Sequence, residues 1–322
     1  MNQSELVQRK LNIETSVGES TSFAEQACLS EMAARQKPPL EAFVTEAEYG
    51  VPLPLVEAGV LRSDNVNGEV IFVGAGPGDP ELITVKGSRA LERADRVIYA
   101  GSLVNPKLLE ICRHGTPFHD SAHLTLEEVV SLMFEGIKRG ETIVRLHTGD
   151  PSMYGAIKEQ FEHLDKQEIP YSVIPGVSSV FAAAAAVKRE FTLPDISQTL
   201  ILTRLAGRTP VPESEALAKL AKHQASMAIF LSVQDMGSVV QELLEGGYPA
   251  TTPIAVVAKA SWPDEEVLLG TLETIVEKVK VAGIRKQAQI LVGDFLDPAK
   301  GYARSKLYDP TFTHEYRQGT AT

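Results

Sequence analysis

From Val70 onward, short apolar runs alternate with stretches whose apolar positions recur every three or four residues. Runs such as Thr142-Ile143-Val144-Arg145-Leu146 are almost continuously apolar. That pattern marks strands covered on both faces, as in a parallel sheet with helical crossovers. The pattern predicts strands at 70–73, 96–100, 142–147, 171–174, 199–204, 227–232, 253–259, 265–271 and 288–295. It predicts helices at 81–93, 105–112, 125–139, 155–167, 178–187, 213–224, 235–245 and 272–282. Fewer helices separate the last strands, so a mixed sheet is expected in the second half. The rhythm changes at Phe191-Thr192-Leu193-Pro194-Asp195, which reads as an interdomain hinge. The expected class is therefore α/β with two α/β domains, an N-terminal one over 68–190 and a C-terminal one over 191–300, followed by a tail at 301–322. Residues 1–67 lack the rhythm, are acidic and contain Pro38-Pro39. Short amphipathic helices fit roughly 20–35 and 40–48, and Ser63-Asp64-Asn65-Val66-Asn67-Gly68 reads as a linker. This segment is expected to be a partly disordered N-terminal extension, with a docking or regulatory element as the other reading.

Composition narrows the function classes. The chain has 322 residues, 43% of them hydrophobic, and a net charge of −11. An overall basic field for nucleic acid is excluded, although a local basic pocket for an acidic small molecule is not. No apolar run is long enough to span a bilayer, and Met1-Asn2-Gln3-Ser4-Glu5 does not open a signal peptide. The two cysteines, Cys28 and Cys112, form no disulfide framework. A cytoplasmic location is expected, with no membrane and no nucleic-acid partner.

The chemistry concentrates at three turns. Strand 70–73 runs into Gly74-Ala75-Gly76-Pro77-Gly78-Asp79-Pro80. Glycines there let a ligand approach the backbone. The third glycine of a dinucleotide fingerprint is replaced by Asp79, no Gly-Lys-Ser/Thr follows, and Pro77 and Pro80 remove N–H donors that an anion needs. A cationic or neutral polar ligand fits better, and S-adenosylmethionine, with sulfonium and ammonium groups, has that character. Thr148-Gly149-Asp150-Pro151 and Pro175-Gly176-Val177-Ser178-Ser179 follow two further strands. In a parallel sheet all three turns would line one crevice beyond the carboxyl ends of the strands. Taken singly, Asp79 and Asp150 also suit a helix N-cap with proline at the first helical position.

These residues carry a resemblance. Gly74 to Gly87, Tyr99-Ala100-Gly101-Ser102-Leu103-Val104, His147 to Ala156 and Pro175 to Ala184 resemble the tetrapyrrole methylase family over roughly 70–298. Ile201-Leu202-Thr203-Arg204-Leu205-Ala206-Gly207-Arg208-Thr209-Pro210-Val211-Pro212-Glu213 and Gly283-Ile284-Arg285-Lys286-Gln287-Ala288 resemble the branch that methylates C-11 of precorrin-4 or cobalt-precorrin-4 in cobalamin biosynthesis. The resemblance implies two α/β domains meeting over a trough, S-adenosylmethionine as co-substrate, no metal, a small-molecule tetrapyrrole substrate and a homodimer. It implies cofactor contacts at Pro77, Gly149, Asp150, Met153, Ser178 and Ser179 from the first domain, and at Leu231 and Ala260 from the second. Asp79 and Ser102 fall on the substrate side. Relatives often carry an aspartate where this chain has Gly101, so an acid/base role at that position is not available here. No catalytic base is assigned.

A polycarboxylate substrate needs cations despite the acidic whole. Arg204, Arg208, Arg285 and Lys286 are the candidates, because a guanidinium pairs carboxylates bidentately. Cys112, His114, His119 and His123 match no common zinc spacing and read as loop residues. His147 is either an acid/base or a structural histidine at a strand end. Trp262 either walls the crevice or packs at a loop. The rival functions are methylation elsewhere on the macrocycle or of another tetrapyrrole such as uroporphyrinogen III, a nucleotide-dependent oxidoreductase, and a tetrapyrrole-binding regulator.

Overall fold

The computed structural model describes residues 68–303 and 305–320, so the extension 1–67 and its two expected helices lie outside the described residues. The first sheet contains β1 (Glu69–Gly74), β2 (Arg96–Tyr99), β3 (Phe118–Asp120), β4 (Thr142–His147) and β5 (Tyr171–Ile174), in the order β3-β2-β4-β1-β5. All its pairings are parallel. Helices α1 (Val85–Arg93), α2 (Leu126–Lys138), α3 (Ile157–Lys166) and α4 (Ser179–Ala186) follow its strands. Ile71, Val73, Val144 and Leu146 pack with Ala90 and Leu91 on one face. Val70, Phe72, Ile98 and Ile143 pack with Val129, Met133 and Leu164 on the other. Two covered faces are why these strands are apolar at consecutive positions. β1 leads outward to β2 and β3, whereas β4 returns between β2 and β1 and leads to β5 on the far side. The chain thus reverses direction between β1 and β4, where open α/β sheets leave a crevice beyond the strand ends.

The second sheet contains β6 (Leu200–Arg204), β7 (Ser226–Phe230), β8 (Pro253–Ala258), β9 (Glu266–Thr271) and β10 (Ala288–Val292), in the order β6-β7-β10-β8-β9. β6 and β7 are parallel and the other pairings antiparallel, which is the mixed sheet expected from the sparser helices. Helices α5 (Leu217–Ala221), α6 (Met236–Glu245) and α7 (Ile275–Ala282) cover one face through Leu217, Val239, Leu243 and Ile275. The other face, with Ala228, Ala255, Val257 and Leu291, packs on Val180 and Ala183 of α4. One alanine-rich helix therefore closes part of the second sheet while leaving the first, and the run Ala182 to Ala184 is buried as a close-packed face.

Several element ends differ from expectation for local reasons. Helix 81–93 divides into a 3₁₀ turn at Pro80–Leu82, capped by Asp79, and α1, capped by Thr84. Segment 105–112 is a 3₁₀ helix at Pro106–Ile111. Segment 213–224 divides into Glu213–Glu215 and α5. β10 stops at Val292 because Gly293 takes φ +135°. β3 was not expected: its three residues, Phe118-His119-Asp120, carry too little apolar character to signal a strand.

Three glycines set the spacing at the crevice. A Cβ on Gly74 would come 2.5 Å from Gly176 Cα and 2.6 Å from the Gly149 carbonyl oxygen. A Cβ on Gly176 would collide with that same oxygen and lie 2.7 Å from Gly74 Cα. Gly176→Ala should therefore lower unfolding free energy by about 2–4 kcal/mol, since backbone must move to admit the methyl. Gly237→Ala, in open space on α6, should be neutral or stabilising by up to about 1 kcal/mol. Denaturant melts of the two variants against wild type measure this, and equal stabilities would refute the close-packing account.

Candidate active site

The turns after β1, β4 and β5 are bound to one another by backbone. Gly76 and Gly149 form an isolated antiparallel bridge, with Gly149 N–H donating to Gly76 O at 2.8 Å and Gly76 N–H to Gly149 O at 3.3 Å. Ala75 N–H donates to His147 O at 2.7 Å. Gly76 (φ +78°) and Gly149 (φ +61°) adopt left-handed backbone that glycine takes at little cost. Asp150 then fastens the third turn: its Oδ2 accepts from Gly176 N–H at 2.8 Å, and its Oδ1 accepts from Ser152 N–H at 2.9 Å and from Ser152 Oγ. Burial opposes its charge, but these donors outweigh burial and hold the carboxyl below the ordinary aspartate range. Both Asp79 and Asp150 cap the turns they begin, as the proline-following pattern allows.

The second sheet presents a matching edge. Arg204 ends β6, Leu231 follows β7, Ala260 follows β8, and Arg285 and Lys286 precede β10, which runs antiparallel to its neighbours. All five therefore stand on one side of the sheet. Four contacts join this edge to the first sheet's turns. Trp262 Nε1 donates to Pro77 O at 3.0 Å. Asp79 N–H donates to Ser261 Oγ at 3.0 Å. Ser179 Oγ pairs with Gln289 Oε1 at 3.1 Å. The Tyr154 and Phe230 rings lie 5.2 Å apart. A Cβ on Gly78 would run into the Trp262 indole, so Trp262 seats directly on that turn while Asn105 Nδ2 holds Gly78 O from the other side at 2.8 Å. Trp262 packs on the turn that borders the crevice, and these contacts fit both readings of it.

The structure thus brings Pro77, Asp79, Gly149, Asp150, Met153, Ser178 and Ser179 to one edge and Arg204, Leu231 and Ala260 to the facing one, while Arg285 and Lys286 lie at the same strand ends, Arg285 beside the start of α6 and the end of α7. The Ser102 side chain lies outside the described residues. Ser178 caps α4 and is buried; Ala260 is buried as well, whereas Leu231 is 75% exposed with φ +54°. Tyr154, Ala156, Lys259 and Ser261 share positive φ along the same seam. Left-handed non-glycine residues gathered in one place mark a functional constraint. Sequence reading passed over Tyr154, which is 46% exposed at the seam; its place in the turn after β4, within the matching segment His147 to Ala156, was the available signal.

The turns 74–80, 148–156 and 175–179 contain no lysine or arginine, but do contain Asp79 and Asp150. This donor set accommodates a cationic ligand and opposes a phosphate. Cations stand instead at the second sheet: Arg208, Arg285 and Lys286 are exposed. His147 is buried and lies over Phe72, with ring centroids 5.9 Å apart. Burial first, then the neighbouring Arg145, push its imidazole down to about 3, so it is neutral at physiological pH and structural rather than an acid. His119 contacts Arg96 at 3.1 Å, and no metal-binding cluster of His, Cys, Asp and Glu occurs among the described residues. Gly101 takes φ +48°, and a Cβ there would lie 2.9 Å from Asp120 Oδ1, so the local backbone favours glycine.

The model of the tetrapyrrole (corrin/porphyrin) methylases matches residues 69–276. The chain belongs to this family. It is 58% identical over 252 residues to the cobalt-precorrin-4 C(11)-methyltransferase of Methanocaldococcus jannaschii, covering 78% of this chain and 97% of that one. It is 49% identical over 250 residues to the precorrin-4 C(11)-methyltransferase of Pseudomonas aeruginosa, covering 78% and 99%. Among solved structures, that of a cobalt precorrin-4 methyltransferase of cobalamin biosynthesis superposes with a TM-score of 0.71 at 47% identity, covering 74% of this chain and 99% of that chain. The methylase fold expected from the motifs is the fold observed, and the oxidoreductase reading falls with the family.

Asp150 gives a pH-dependent test of how this methylase's turns are held. Its carboxyl titrates below the unfolded value, so its contribution is present above about pH 4 and is lost as pH falls through the folded value. Asp150→Asn should cost about 1–3 kcal/mol at pH 7, and the gap to wild type should narrow below pH 4. Denaturant melts from pH 7 to pH 3 measure it, and a gap that stays constant would contradict the charge-assisted clasp.

Proposed function

We propose that this chain transfers a methyl group from S-adenosylmethionine to C-11 of precorrin-4 or its cobalt complex in cobalamin biosynthesis. The observation that carries the reading is 58% identity, over nearly the whole length of the relative, to a protein named for that reaction. The site agrees with it: an edge of glycine turns free of basic side chains faces an edge bearing Arg204, Arg208, Arg285 and Lys286. The first suits a sulfonium and the second a macrocycle with carboxylate arms. Pro77, Gly149, Asp150, Met153, Ser178, Ser179, Leu231 and Ala260 are the proposed cofactor contacts, with Asp79, Ser102 and the four cations on the substrate side. Asp150 acts there through the turn it clasps, because both its oxygens already accept from the chain.

When bound, S-adenosylmethionine supplies an electrophilic methyl on a cationic sulfur. The residues' task is to hold it and the ring carbon in line at about 3–3.5 Å, with little freedom left to lose. The zipped turns do this by rigidity: the Gly76–Gly149 bridge and the Asp150 clasp leave no loop to reorder. Exposed carbonyls in such turns also accept weak C–H···O contacts from an activated methyl. Leu231, held outward by its left-handed backbone, presents an apolar surface that excludes water from the reacting atoms.

A homodimer is the proposed assembly. On the α4-covered face of the second sheet, Leu202 and Leu269 flank buried Ala228, Leu291 and Ala255 in register, and Phe181 of α4 is 58% exposed. An apolar surface of this kind suits a subunit contact. Among the described residues no helix is long and apolar enough to cross a membrane, which supports the cytoplasmic location proposed with it.

Purified protein incubated with S-adenosyl-[methyl-¹³C]methionine and enzymatically generated precorrin-4, with and without cobalt, should yield one new methyl resonance at C-11. Methylation at another carbon would keep the family and discard the C-11 assignment. Tight cofactor binding without transfer, beside an active control enzyme, would favour a tetrapyrrole-binding role. Light scattering of the same preparation should give twice the chain mass, and a monomer mass would remove the homodimer.

A further inference from the structure

The four cations on the substrate side are not equivalent. Arg204 ends β6 in register with Phe230 of β7. Its guanidinium has five N–H donors. Three of its hydrogen bonds go to backbone carbonyls just ahead of it in the chain: Leu205 O at 3.3 Å, Thr209 O at 3.0 Å and Pro210 O at 2.7 Å. Gly207 N–H also donates to Thr209 O at 3.2 Å, and Leu205 N–H donates to the buried Ser232 Oγ at 2.9 Å. Loop 205–210 is therefore folded back on Arg204 and tied to Ser232, just beyond the C-terminal end of β7. Arg208, at its tip, is exposed and has no hydrogen bond or ion pair among the described residues. The loop stands beside the aromatic pair across the seam, since Phe230 is the strand neighbour of Arg204 and its ring lies 5.2 Å from that of Tyr154. The Arg204 charge also reaches the Tyr154 phenol, although burial has the larger effect and raises that group.

We propose that Arg204 is a positioning residue that locks loop 205–210 and so fixes Arg208 beside the Tyr154–Phe230 pair, where Arg208 receives a peripheral carboxylate of the tetrapyrrole. A guanidinium spent on backbone carbonyls is a poor carboxylate fork. A guanidinium at the tip of a locked loop is a good one, because less of its freedom remains to be lost on binding. The aromatic pair gives a flat, partly apolar surface for the macrocycle, and the loop places one cation at its margin. Lysine cannot replace Arg204, because a single ammonium does not reproduce a planar set of donors to several carbonyls.

The test rests on the methyl-transfer reading and compares Arg208→Ala, Arg208→Lys, Arg204→Lys and the double variant Arg204→Lys/Arg208→Ala in the full chain. Arg208→Ala should raise KM for precorrin-4 about ten-fold, as expected for one exposed charge-assisted contact, with kcat and the KM for S-adenosylmethionine unchanged. Arg208→Lys should recover part of that loss. Arg204→Lys should raise KM in the same sense, and the double variant should be no worse than Arg208→Ala, because the first residue acts through the second. Amides of 206–208 should exchange faster in Arg204→Lys while the rest of the chain is unaltered. An unchanged KM in Arg208→Ala, additive losses in the double variant, or unaltered exchange would each overturn the proposal. Should wild type transfer no methyl to precorrin-4, the functional reading fails by itself. Binding of uroporphyrin, a stable tetrapyrrole with carboxylate arms, followed through Trp262 fluorescence in the same variants, then decides the Arg204–Arg208 relation: the same non-additive pattern sustains it, and equal affinities overturn it.

Discussion

Close approach of backbone to backbone at Gly74, Gly149 and Gly176 is the constraint on which the rest of the site depends. Side chains at Gly74 or Gly176 would hold the strand ends apart and break the Asp150–Gly176 bond, whereas Gly149 is needed for its left-handed backbone, φ +61°, in the bridge to Gly76. With the glycines in place, three turns from separate parts of the sequence become one rigid edge. Each then offers its backbone groups at a fixed spacing, which suits a site whose work is orientation rather than proton transfer. Among the described residues no strongly perturbed, exposed acid or base faces the crevice. The most shifted histidine, His147, is buried and neutral. Its carbonyl accepts from the Ala75 N–H, so its backbone helps to hold the first turn.

The second constraint is the seam. The turn 76–80 is gripped from two directions, by Trp262 from the second domain and by Asn105 from the first. Gly78 is needed because the indole occupies the space of a side chain there. Several residues along the seam accept left-handed backbone to reach these contacts, among them Tyr154, Leu231, Lys259 and Ser261. Conformational cost of this kind persists only where the surroundings over-determine it. Here the surroundings are the two sheet edges and α4, which packs beneath the second sheet while its cap, Ser178, belongs to the first domain's third turn.

Much of this was readable in the chain. Continuous apolar runs such as 70–73 and 142–147 announced strands buried on both faces, and the thinning of helices after 253 announced the mixed sheet. The three turns could be assigned to one crevice because a parallel sheet puts all its strand ends on the same side. The contacts made by the turn residues once folded were less readable. Asp79 and Asp150 looked equally fit to face a ligand or to cap a turn. For Asp150 the outcome depends on a donor far away in sequence, the Gly176 N–H, whereas the Asp79 carboxylate accepts from its neighbour Glu81 while its backbone N–H donates to the distant Ser261 Oγ. Arg204 presents the same ambiguity: an arginine before a Gly/Pro loop suggests an anion site, but only the folded loop shows its carbonyls turned back onto the guanidinium. β3 escaped notice because three residues containing His119 and Asp120 carry no strand signal, and its pairing to β2 is a product of the sheet around it.

Charge partition explains how an acidic chain presents a site for an acidic substrate. The net charge of −11 acts at long range, where salt screens it within about 10 Å. Recognition acts at contact distance, where the sign of the nearest few groups decides. Along the seam the glycine-turn edge carries Asp79, Asp150 and bare backbone, whereas the second-sheet edge carries Arg204 and Arg208, its Asp264 being paired with Lys259 and its Glu265 accepting from the Ser261 N–H. A cationic donor and an anionic acceptor brought between the edges would each meet complementary charge from one side. On the proposed assignment of cofactor and substrate contacts, each would also be directed away from the edge that suits its partner. Such an arrangement leaves the protein's overall field free to be acidic, because selectivity resides in a few locked side chains and turns rather than in the surface as a whole.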